Sequence, residues 1–217
     1  MAEDKGGTMN WKFSEKFRSQ WIKVKFYKQK PAFLQGVDSS LTGRRPERLK
    51  DVRFCEATKE AIIRPVIIDK ESISCPGARY CFGWEPNYRK ALLDNCQEKR
   101  ATKNGIVESL ILKAPYFKEP FDYIGLNTDD EPDLVMSYMP PEEIMRVIKI
   151  YNNHKGLNLN IKLFSMVSIC GGIAVRTYLE NEISFSFGCD DSRKYADIRR
   201  ENLAVGIPNR LFKIFVD

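Results

Sequence analysis

Four cysteines stand in two matching stretches. Cys55 precedes Cys75 by nineteen intervening residues, and Cys170 precedes Cys189 by eighteen. Each downstream cysteine is followed four residues later by an arginine, Arg79 or Arg193, with Tyr80 or Tyr195 close behind. Thiolates are soft donors, so four of them drawn together could hold an iron–sulfur cluster or a structural zinc. The two pairs could equally be quiet core residues, repeated because the stretches share ancestry. The compact C-x2-C runs of ferredoxins and zinc knuckles are both absent. A cubane tolerates ligands from distant segments, and this makes a [4Fe-4S] cluster the leading expectation. Cys55, Cys75, Cys170 and Cys189 are its metal ligands.

Other residues surround this set. Arg79 and Arg193 could lower nearby thiol pKa values or hold an anionic substrate bidentately, or else pair with Glu85, Asp190 or Asp191. Gly171 and Gly172 allow close backbone approach beside Cys170 and join the arginines as cofactor-binding candidates. Cys81 has no counterpart in the second stretch and is held in reserve, whereas Cys96 shares an apolar helical face with Tyr88, Leu92 and Leu93. His154 is the single histidine, which excludes mononuclear sites built on several imidazoles.

Elements must bring these cysteines together. Ile22, Val24 and Phe26 alternate with lysines as a strand, after a helical stripe of Phe13, Phe17 and Trp21. Leu49 to Phe54 reads as a strand delivering Cys55 to the start of an Ala57–Ile63 helix. There the helix dipole and free N–H groups favour a thiolate. Val66 to Asp69 is a strand, Cys75-Pro-Gly a tight turn, and Pro86 to Asn104 a helix. In the second half, Asp133 to Tyr138 is a strand. A helix follows with Ile144, Met145, Val147, Ile148 and Tyr151 inward, closed at His154-Lys155-Gly156. Ile161 to Ile169 reads as a strand ending at Cys170, then come a helix to Leu179, a strand Ile183 to Phe187 and a strand in NLAVGIP. The expected fold is α/β, two similar pseudo-symmetric halves packed as one compact unit. Residues 10–127 form the first half and 128–217 the second.

Composition bounds the rest. The 217 residues are 43% hydrophobic, enough for a core. No apolar run approaches the roughly 20 residues that span a bilayer. MAEDKGGTMNW lacks a signal-peptide core, so a cytoplasmic location with reduced thiols is expected. Residues 1–100 hold 21 Lys and Arg against 13 Asp and Glu, and the GRRPER loop with Arg44, Arg45 and Arg48 is their densest point. That charge would suit a small anionic ligand, the alternative to a metal. It would also permit nucleic acid, for which no motif is present. The carboxylates of Asp129, Asp130, Glu131 and Asp133 sit in one turn and read as solvated loop.

RFCEATKEA at Cys55, SCPGARYCFG at Cys75, SICGGIAVRTYL at Cys170 and FSFGCDDSRKYADIRRENLAVGIP at Cys189 together resemble the uncharacterised bacterial and archaeal family of domain of unknown function 169. The resemblance runs from about Trp21 to Pro208. It implies a cysteine at each of the four matched positions and none at 81 or 96. The family's occurrence in anaerobes implies tolerance of an oxygen-sensitive cluster, with a redox partner or small anionic substrate as partner, and it implies no particular reaction.

Overall fold

The computed structural model describes residues 21–34, 45–85, 114–163 and 166–216. The expected helices at Asn10–Trp21 and Pro86–Asn104, Cys96 and Arg44 lie outside them.

Seven strands make one sheet: β1 Ile22–Tyr27, β2 Glu47–Arg48, β3 Val66–Asp69, β4 Tyr123–Leu126, β5 Leu134–Met139, β6 Ser184–Ser186 and β7 Leu203–Pro208. Their order across the sheet is β2-β3-β4-β1-β5-β7-β6. Neighbours are antiparallel except β2 and β3. The α/β class is therefore as read from sequence. The seam between the expected halves is β1 against β5, with Ile22 opposite Met136 and Val24 opposite Leu134.

Six α-helices occur among the described residues: α1 Phe54–Ile63, α2 Pro76–Cys81, α3 Pro141–Lys155, α4 Arg176–Glu180, α5 Asp190–Tyr195 and α6 Asn209–Val216. A π-helix, Ser168–Val175, runs directly into α4. None is long and apolar enough to cross a membrane.

Side chains alternate across each strand, so the sheet separates two cores. Ile22, Val24, Phe26, Ile68, Ile124, Leu134, Met136 and Tyr138 face the cysteine-bearing helices, packing with Phe54, Cys55, Cys81, Cys170 and Ile173. Val135, Met139, Phe185, Val205 and Ile207 face the other way, against Ile144, Val147 and Tyr151 of α3 and Leu211 and Phe215 of α6.

Several boundaries differ from the sequence reading. Leu49 to Phe54 is not a strand: Val52 makes one bridge to Ile73 and Phe54 already opens α1. The helix starts early because the Glu56 carboxylate accepts the Arg53 N–H at 2.7 Å and caps it. Cys75-Pro-Gly is the start of a helix rather than a bare turn, since the fixed φ of Pro76 suits a first helical position. Ile161 and Leu163 are exposed, and Val167 takes a left-handed φ of 46°, so the chain enters the π-helix where a strand was expected. Phe187 and Met145 are also exposed, outside the apolar faces assigned to them.

Candidate cysteine site

Each matched cysteine lies in the first turn of a helix. Cys55 is the second residue of α1 and Cys170 the third of the π-helix, while Cys75 and Cys189 are the N-caps of α2 and α5. Local chemistry places each one. At Cys189, Gly188 turns the chain at φ 84°, and the Ser192 hydroxyl accepts the Cys189 N–H at 2.8 Å while donating to its carbonyl at 2.9 Å. At Cys170, the Val167 carbonyl accepts from both Gly171 and Gly172 N–H groups, at 2.8 and 3.1 Å, which widens the turn to a π-helix. All five cysteines among the described residues are free thiols.

The sulfurs share one neighbourhood. Burial pushes the Cys55 thiol up, and the charges of Cys170, Cys75 and Cys189 each add to it, against the Glu56 N–H. Cys75 is pushed up to about 11, by burial first and then by Cys170, while the Ala78 and Gly77 N–H groups pull it down. Cys170 is raised chiefly by its hydrogen bond to Cys81, then by burial and by Cys189; the Gly171 N–H opposes. Charges on these thiols thus influence one another, and Cys81 has the largest influence on Cys170. Among the described residues no group of three or more His, Cys, Asp or Glu side chains is spaced to hold a metal ion.

Sequence reasoning missed the hydroxyl that belongs to this cluster. Tyr138 faces the cysteine side of β5, and the charges of Cys55, Cys189 and Cys170 add to burial in raising its pKa. Its hydroxyl lies 2.8 Å from Thr58 Oγ1, which donates to the Cys55 carbonyl at 2.7 Å. The threonine's one hydrogen is committed there, so Tyr138 is the donor to Thr58 and its oxygen lone pairs remain as acceptors. The available signal was parity: Tyr138 shares its strand face with Leu134 and Met136.

The arginines lace loops. Arg79 donates to the Lys70 and Ile73 carbonyls at 2.7 and 3.2 Å and to Glu85 at 3.4 Å. Arg193 donates to the carbonyls of Phe187 at 2.5 Å, Arg199 at 2.7 Å and Arg200 at 3.1 Å. Arg79 ties down the segment preceding Cys75, and Arg193 links the residue two before Cys189 to the Arg199–Arg200 turn. Arg53 joins the two stretches: its guanidinium lies 3.7 Å from the Tyr195 ring centroid and 4.0 Å from Asp191. Gly171 has a specific reason to lack a side chain, since a Cβ there would stand 2.8 Å from the Cys81 sulfur. Away from the site, Arg48 pairs with Asp69 and Glu71. Asp130 accepts from Tyr27, Asp133 pairs with Lys25, and exposed His154 closes α3.

Comparison with known proteins gives a family without an activity. The family profile DUF169, described as uncharacterised ArCR, matches residues 15–217. The uncharacterized protein MJ0308 of Methanocaldococcus jannaschii is 26% identical over 185 residues, covering 77% of this chain and 76% of that protein. No solved structure matches.

Proposed function

This chain belongs to the DUF169 family, and on that premise we propose that Cys55, Cys75, Cys170 and Cys189 together hold one [4Fe-4S] cluster. The observation that supports the reading is that each of the four cysteines stands at or beside a helix start and that the charges of Cys75, Cys170 and Cys189 all act on Cys55. Helix N-termini present unpaired N–H groups and partial positive charge, so they favour sulfur in its anionic form. The donor set is four thiols, the softest ligands available, and suits iron–sulfur or zinc.

The C-x2-C runs usual for structural zinc are absent from the sequence, whereas a cubane accepts thiolates from distant segments. A cluster would supply electron transfer or, at an iron open to substrate, Lewis acidity. The residues of the chain would bind it, exclude water and offer hydrogen bonds, with Tyr138 nearest the sulfurs.

The same reading includes an internal duplication. From the seam outward, one side runs β1-β4-β3 and ends on the two-residue β2, which has no counterpart, and the other runs β5-β7-β6. The succession helix, strand, cysteine, helix recurs as α1-β3-Cys75-α2 and α4-β6-Cys189-α5. A twofold axis at the seam accounts for both. The metal-free alternative, an anion held by arginines, has less support because Arg48, Arg79 and Arg193 are engaged within the chain. A redox partner or small anionic substrate remains the proposed partner.

Purification without oxygen tests the proposal. Brown protein with broad visible absorption and equal iron and inorganic sulfide is expected. Serine at any of the four positions should abolish both, and serine at Cys81 or Cys96 should leave them. Colourless protein that takes up neither iron nor sulfide on reconstitution would overturn the cluster.

A further inference from the structure

We infer that Cys81 and Cys170 form a buried dithiol that a peroxide converts reversibly to a disulfide, a modification site using the one described cysteine outside the four matched positions. Two observations meet here. The Cys81 sulfur occupies the space where a side chain at Gly171 would begin, 2.8 Å from that Cβ position and so beside Cys170. Cys81 is also the neighbour with the largest influence on Cys170, whose own thiol donates to the Val167 carbonyl at 3.6 Å. Cys81 is fixed at the end of α2, its carbonyl accepting the Phe117 N–H at 2.8 Å.

Exposure assigns the order of events. Cys170 is 7% exposed and Cys81 0%, so a small oxidant meets Cys170 first and Cys81 resolves the product. The Cys170 sulfur attacks one peroxide oxygen, the O–O bond breaks, and the other oxygen leaves as water with the thiol proton. The Cys81 sulfur then attacks the sulfenic acid. The S–S bond forms, the S–O bond breaks, and hydroxide leaves with the Cys81 proton as a second water. Two thiols have lost two electrons and hydrogen peroxide has become two waters. Cys170 is nearly closed off from solvent, so the reaction is slow and is followed over hours. Where the cluster reading holds, closure also withdraws Cys170 from the ligand set; the chemistry of the pair does not depend on it.

The experiment uses the full chain, reduced and stripped of metal, treated with hydrogen peroxide and digested with trypsin without reduction. Cleavage after lysine and arginine puts each of the six cysteines on its own peptide, so any link is read directly by mass. The expected product is the peptide carrying Cys81 joined to that carrying Cys170, with full return of both thiols on dithiothreitol, whatever the more exposed Cys75 and Cys189 do separately. Cys81→Ser should abolish the link and leave Cys170 as a trappable sulfenic acid; Cys81→Ala serves if the serine variant fails to fold. Preferential joining of Cys170 to Cys55, Cys75 or Cys189, or Cys81 recovered unlinked from fully oxidised wild-type protein, would overturn the inference. No metal enters the assay, so its outcome is separate from that of the cluster proposal.

Discussion

Replacing Gly171 with alanine tests the packing beneath Cys170. The new methyl would lie 2.8 Å from the Cys81 sulfur and 3.2 Å from both the Pro115 carbonyl oxygen and Val167 Cγ2. Cys81 is fully buried, so its sulfur has little room to rotate away. Overpacking of this kind costs about 1–3 kcal/mol, and alanine in a helix returns about 1 kcal/mol relative to glycine. The net loss is then about 0–2 kcal/mol, with the Pro115 and Val167 contacts contributing part. Cys81→Ala alone deletes one buried sulfur and costs about 1 kcal/mol. In the double variant the methyl enters the space the sulfur leaves, and the two losses should not add. A favourable coupling of about 1–2 kcal/mol is expected from urea unfolding of the four proteins under reducing conditions. Losses that add within about 0.5 kcal/mol would refute the contact, and the inferred dithiol would lose its geometric support.

Tyr138→Phe leaves Thr58 Oγ1 without its donor in a buried site and should cost about 1–2 kcal/mol; a double-mutant cycle with Thr58→Val should recover about 1 kcal/mol of coupling. Stability should fall as pH rises from about 9 toward about 11, because Cys75 keeps its proton in the folded chain after the unfolded thiol has lost its own. The slope approaches about 1.4 kcal/mol per pH unit for each such thiol, Cys55 and Cys170 act in the same direction, and a flat urea midpoint across that range would contradict it. Arg193→Lys cannot reach three carbonyls at once; it should lower the urea midpoint and speed thiol labelling of Cys189 at least several-fold more than that of Cys55.

The core strands were legible because period-2 alternation survives burial. Ile22, Val24 and Phe26 kept the face their spacing assigned, and Val66–Asp69 was bounded correctly. The segments leading into cysteines were harder to read. Leu49 to Phe54 and Ile161 to Ile169 are apolar enough for strands, yet side-chain capping by Glu56 and the shared Val167 carbonyl decided them locally. Propensity carries no term for such individual hydrogen bonds. The choice of four cysteines rests on their spacing, Cys81 stays in reserve because it has no counterpart in the second stretch, and Tyr138 lies outside both stretches. Unrepeated residues are invisible to an argument built on repetition.

That asymmetry bears on how the site would work. Cys55 and Cys170 each lie near a helix start, but their surroundings differ. Beside Cys55 stands a hydroxyl chain, Tyr138 to Thr58 to the Cys55 carbonyl. Beside Cys170 stands a fifth thiol. At Cys55, Cys75 and Cys170, burial and neighbouring sulfurs outweigh the helix N–H groups, so these sulfurs are held as thiols, and the Cys170 side is the one with an alternative bond to make. Metal binding must then release protons and weaken as pH falls. Of the four proposed ligands, Cys170 should be the first to leave under oxidation, because Cys81, a thiol outside the proposed ligand set, acts on it most strongly.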